Sequence, residues 1–106
     1  MAQFSSRAQA WGFSGVSKRI FKYAIDLDKR EQEIVMPEFA EVLSAHLQYC
    51  DARVWALVDS DNELKPRKFF VLETGASVEN PERLRFVGTI LLQGGATVLH
   101  IFEETS

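Results

Sequence analysis

The sequence predicts a mainly β protein, a small antiparallel sandwich or barrel of about seven strands. Short apolar runs recur along residues 18–102, separated by turn-forming clusters roughly every 8–12 residues. Several of these runs alternate apolar with polar residues at period two. The gaps between them hold Pro, Gly-Gly and Asp-Ser-Asp-Asn, which interrupt regular structure. The chain has 106 residues, the length of one domain. Such a domain buries ~65% of its unfolded surface, enough for a core without disulfide or metal staples.

Residues 1–17 read as a leader separate from a β domain at 18–106. They are rich in Ser, Ala, Gln and Gly, with Phe4, Trp11 and Phe13 as the large apolar groups. From Lys18, Phe21, Tyr23 and Ile25 alternate with Lys22 and Ala24, a strand pattern. Asp26 to Arg30 is a turn. Glu33 to Met36 is a short strand closed by Pro37, which cannot donate to a ladder and so marks an edge or a strand end. Residues 38–50 fit two periods. Phe39, Val42, Leu43 and His46 or Leu47 have helical spacing, whereas Leu43, Ala45, Leu47 and Tyr49 have strand spacing. Pro37 followed by Glu38 and Glu41 suits a first helical turn. The surrounding β pattern favours a turn at 38–41 and then a strand, with one short helical turn near 38–46 as the alternative.

Arg53 to Val58 is apolar on both faces, which predicts a central strand with Trp55 in the core. Asp59 to Asn62 is a turn cluster. Lys68 to Leu72 is a buried strand ended by Thr74-Gly75, and residues 77–81 form a loop. Leu84 to Leu92 is a strand in which Gly88 marks a bulge or a close backbone approach. Gly94-Gly95 predicts a two-residue hairpin before the last strand, Thr97 to Phe102.

Composition excludes more functions than it suggests. Net charge is −3 and no basic stripe dominates, so nucleic acid is a poor partner. No apolar run approaches a membrane span. The N-terminus lacks the apolar core of a signal peptide, and a lone cysteine suits a reducing cytoplasm. Charge is uneven: residues 1–30 carry +4 and residues 31–64 carry −7. The basic third therefore faces either the chain's own acidic middle or an acidic partner.

No reaction motif is present, so the chain reads as a non-enzyme without cofactor or metal. His46 and His100 have no ligand spacing. Cys50 precedes Asp51, which disfavours a thiolate, and reads as a buried spectator. Asp59, Asp61 and Glu63 imitate a calcium loop but lack its glycine and its closing acid. Lys65, Arg67, Lys68 and Arg85, interleaved with Phe69, Phe70 and Phe86, are candidates for a small anionic ligand such as a nucleotide. The plainer alternative points these aromatics into the core and the cations to solvent. Phe4, Trp11, Phe13 and Arg19 are candidates for protein interaction, on a partner or on a second copy.

Six segments carry a family likeness: Lys18-Arg19-Ile20-Phe21-Lys22-Tyr23, Met36-Pro37, Trp55-Ala56-Leu57-Val58-Asp59, Arg67 to Thr74-Gly75, Phe86-Val87-Gly88-Thr89 and His100-Ile101-Phe102-Glu103. In this order they resemble a family of small uncharacterised bacteriophage and prophage proteins, a domain of unknown function. The resemblance covers residues 18–104, with Glu73 where that family commonly has glycine. It implies a phage origin and the host cytoplasm, and supplies no catalytic residues. The expectation is a phage-encoded accessory protein that binds a host protein, such as a defence component. The alternative is a β pocket that sequesters a nucleotide or signalling molecule.

Overall fold

The computed structural model describes residues 17–105, so Phe4, Trp11 and Phe13 lie outside the described residues. Seven strands follow one another: β1 (Lys18–Ala24), β2 (Glu31–Pro37), β3 (Glu41–Gln48), β4 (Asp51–Asp59), β5 (Leu64–Glu73), β6 (Leu84–Leu92) and β7 (Thr97–Glu104). Every pairing is antiparallel. One sheet has the order β1-β4-β3 and the other β2-β5-β7-β6. The two pack face to face as a sandwich, not a closed barrel.

Period-two alternation builds the core. Val54, Ala56 and Val58 of β4 point inward and are fully buried, as are Met36, Phe69 and Ile101 from the opposite sheet. β4 is the middle strand of its sheet, as its apolar run implies. Among the described residues, no further layer covers its other face. Trp55 lies on that outer face, half-buried, with Lys22 as its cross-strand neighbour and the His46 ring 6.0 Å away. The expectation of a core tryptophan is corrected here. A sandwich of two sheets has one inside, and the parity of Val54 and Val58 claims it.

The connection at 38–40 is a turn leading into β3, with no helical turn across 38–46. Ala40 N–H donates to Pro37 O at 3.2 Å, and Phe39 takes a φ of 68°. Residues 93–96 make a four-residue connection containing a short 3-10 turn rather than a two-residue Gly-Gly hairpin, since Leu92 still pairs with Thr97. Cys50 is exposed, because it stands in the two-residue turn between Gln48 and Asp51.

Gly88 performs both tasks its position suggests. The β6–β7 register shifts between Phe86 and Gly88. A Cβ at Gly88 would stand 2.7 Å from the Ala45 carbonyl oxygen, so only glycine lets β6 lie this close to β3. That contact draws the edges β3 and β6 together. The other two edges, β1 and β2, therefore share the opposite side of the sandwich.

Candidate functional site: an ionic clasp beneath a displayed phenylalanine

Inward parity at one end of the core brings three charged residues together. On β7, Leu99, Ile101 and Glu103 share a face, so Glu103 enters the interior and keeps 2% of its exposure. Arg85 of β6 stands directly opposite it, and Arg67 of β5 lies diagonally across. Arg67 Nε donates to Glu103 Oε2 at 2.6 Å, and its Nη2 also pairs with that oxygen. Arg85 Nη2 donates to Glu103 Oε1 at 3.0 Å. A carboxylate this deep is tolerable only when both oxygens are satisfied.

The two arginines also fasten one sheet to the other. Arg67 Nη1 donates to Ala40 O and Arg85 Nη2 to Val42 O, each at 3.0 Å. Both carbonyls belong to the entry of β3 in the facing sheet. The clasp thus holds the start of β3, and with it the turn that carries Phe39.

That turn is tied from several sides. Glu38 N–H donates to Glu63 O at 2.7 Å, and Asn62 Nδ2 donates to Glu38 O at 2.9 Å. Together with the Ala40 bonds, this fixes Phe39 in the left-handed region, which costs a β-carbon-bearing residue roughly 1–3 kcal/mol. Phe39 gains no burial in return, for it is 83% exposed. It overhangs a cleft of 560 Å³ whose wall includes Glu41, Arg67, Arg85, Glu103 and Glu104. Leu64, opposite Pro37, is exposed nearby. Glu41 and Glu104 share this cleft with Phe39, and Glu38 and Glu63 meet through their backbones beside it, with Lys65 facing Glu63.

The four cations singled out for an anion do not converge on one. Arg67 and Arg85 both turn to Glu103. Lys65 Nζ lies 3.5 Å from Glu63, and Lys68 Nζ lies 3.1 Å from Glu31. The hydrogen bond that Lys68 donates to Glu31, backed by the carboxylate's charge, raises the Lys68 pKa above the usual lysine value. The aromatics of this cluster divide between the two faces of the sheet. Phe69 is inward, yet Phe70, Phe102 and Phe86 form a row on the outer face of β5, β7 and β6. Phe86 and Phe102 meet edge to face at 5.6 Å. Arg67 and Arg85 turn inward on the same side as Phe69, while Phe70 and Phe86 turn outward.

Arg19 is exposed on β1, opposite Val58. His100 is fixed between Thr74 and Thr89 at 2.8 and 3.2 Å, the bonded strand histidine its position implies. Among the described residues, no group of three His, Cys, Asp or Glu is placed to hold a metal. Among them, too, no helix is long and apolar enough to cross a membrane. Sequence reasoning missed Glu103 and Phe39. An acid at the inward parity of the last strand demands cationic partners, so Glu103 was findable. Phe39 gave no such signal, because left-handed turn positions are announced by glycine or asparagine.

The profile of a domain of unknown function (DUF7352) matches residues 16–106. The chain belongs to this family. The matched span takes in every strand, the clasp and the Phe39 turn, and leaves out nearly all of the leader. No curated protein and no solved structure matches the chain.

Proposed function

We propose that this DUF7352 protein is a phage-encoded, non-catalytic accessory protein that docks on a host protein in the host cytoplasm, with Phe39 as its anchor. The observation that carries the proposal is the conformation of Phe39. A large aromatic is held in a strained backbone position by surrounding hydrogen bonds and then left in solvent. Strain with no compensating burial is a feature of binding surfaces, where a rigid aromatic contributes contact area at little entropic cost. The acidic rim favours a partner whose surface offers an apolar pocket with basic surroundings, which also speeds encounter. A defence component is the kind of target that the phage resemblance suggests.

A nucleotide sink has weaker support. Its four candidate cations already face carboxylates, and an anion would have to displace Glu103 from both arginines at once.

Capture from host lysate tests the proposal. Wild-type protein is expected to retain a discrete partner that Phe39→Ala loses, with both proteins equally folded and neither stabilised by nucleotides. Equal capture by the two proteins, or a nucleotide-induced rise in melting temperature, contradicts it.

A further inference from the structure

Lys18 of the basic stretch stands opposite Asp59 of the acidic stretch across the β1–β4 ladder, but the rest of the charge on these stretches is not matched this way among the described residues. Among the described residues, none of the ion pairs joins a cation of β1 to an acid of residues 31–64. β1 carries Lys18, Arg19 and Lys22 with no acid, and β2 carries Glu31 and Glu33 with no cation, the single Lys68 of β5 serving both as ion-pair partner of Glu31 and cross-strand neighbour of Glu33. Both are edge strands, of seven residues each, and both lie on the side of the sandwich away from the Gly88–Ala45 contact. Among the described residues, no strand pairs with the outer edge of either. Bare edges of this length are templates for another strand.

We propose that this side is a two-fold interface with a second copy of the chain, in which β1 of each copy pairs with β2 of the other. The geometry follows from the connection between the two strands. Residues 25–30 carry the chain from one sheet to the other, and β1 and β2, seven residues each, run in opposite directions. A two-fold axis along the strands then lays β1 beside β2 of the partner subunit in an antiparallel pair, in both sheets at once. The two junctions are equivalent, so the assembly closes as a dimer and does not grow into a fibre.

Side-chain parity agrees. Ile20, Lys22 and Ala24 share the outer face with Leu57, Trp55 and Arg53, while Phe21 and Tyr23 share the inner face with Ala56 and Val54. On β2, Ile34 and Met36 are inward, and Glu31, Glu33 and Val35 outward. Matching mid-strand to mid-strand sets Phe21 against Ile34 of the partner subunit, inside the joined core. It sets Ile20, 63% exposed in one chain, beside Val35 of the partner subunit, 53% exposed in its own. It also sets Lys22 beside Glu33 of the partner subunit. Within one chain the Lys22 ammonium reaches Gln48 Oε1 at 2.7 Å across an exposed surface, and pairing turns it toward the edge. This interface is distinct from the Phe39 rim and does not depend on it.

Sedimentation equilibrium of the full chain tests the assembly directly. Wild-type protein is expected to weigh twice 12.0 kDa at micromolar concentration and low salt, and to dissociate as salt rises. Lys22→Glu or Glu33→Lys alone places like charges together at both junctions, and each should weaken dimerisation by about tenfold or more. The double variant, Lys22→Glu with Glu33→Lys, restores the dimer. Circular dichroism confirms that all three variants are folded, since both positions are exposed. A wild-type mass of 12.0 kDa at 100-micromolar order, or a dimer indifferent to both single reversals, overturns the proposal.

Discussion

The ionic clasp and the Phe39 turn touch each other and follow opposite rules. The clasp buries charge, at a desolvation cost offset by saturating both oxygens of Glu103 and by two bonds to the facing sheet. The turn exposes an aromatic in a backbone conformation that costs free energy and contributes no burial. In this protein charge holds the fold, and an apolar group is left in solvent. The chemical character of a side chain is therefore a poor guide to its role until its parity on the strand is known.

The largest expected effect comes from breaking the clasp. Glu103→Ala leaves Arg67 and Arg85 without their carboxylate at the edge of the core and should destabilise by about 3–5 kcal/mol, measured by urea denaturation. With total stability of ~5–15 kcal/mol, this variant is at the limit of folding. Glu103→Gln keeps the shape and one acceptor, and should cost distinctly less. A loss below about 1 kcal/mol for Glu103→Ala would place the clasp on the surface in energetic terms and erase the contrast.

Gly88→Ala comes next, at about 1–3 kcal/mol in the same measurement, because its methyl would meet the Ala45 carbonyl and push β6 from β3. Trp55→Ala should cost about 1–2 kcal/mol, less than a core tryptophan, since half-burial contributes only part of the aromatic transfer energy.

These magnitudes show what the sequence made legible. Strand number, the edge position of β2, the Gly88 approach and the bonded state of His100 all follow from local pattern: period two, proline, a glycine inside a strand, a histidine between apolar residues. What stayed hidden depended on which face each strand turns inward. Val54, Ala56 and Val58 were as apolar as Trp55 and Leu57, and no local rule said which set would be covered. The same ambiguity concealed the inward turn of Arg67 and Arg85. Phe39 was hidden for another reason: its left-handed backbone is imposed by Glu63, Asn62 and Arg67, residues at least 23 positions away.

The smallest expected effect concerns pH. Burial raises the Tyr23 pKa above its ordinary 10.0, because the phenolate is poorly solvated beside the core. A folded-state pKa above the unfolded one means that stability is fully present below about pH 10 and is lost as pH rises through the folded value. Chemical denaturation at alkaline pH should therefore show a slightly steeper fall for wild type than for Tyr23→Phe. Identical profiles would place the Tyr23 hydroxyl in full contact with water.

The contrast between holding and display is tested most directly by the melting temperature of Phe39→Gly. Glycine accepts a φ of 68° without strain, so relief at the turn offsets or exceeds the entropy that glycine adds to the unfolded chain. The variant should melt at or up to a few degrees above wild type, while losing the partner that wild type retains. A melting temperature several degrees below wild type would mean that Phe39 contributes to the fold, and would contradict its assignment as a displayed anchor.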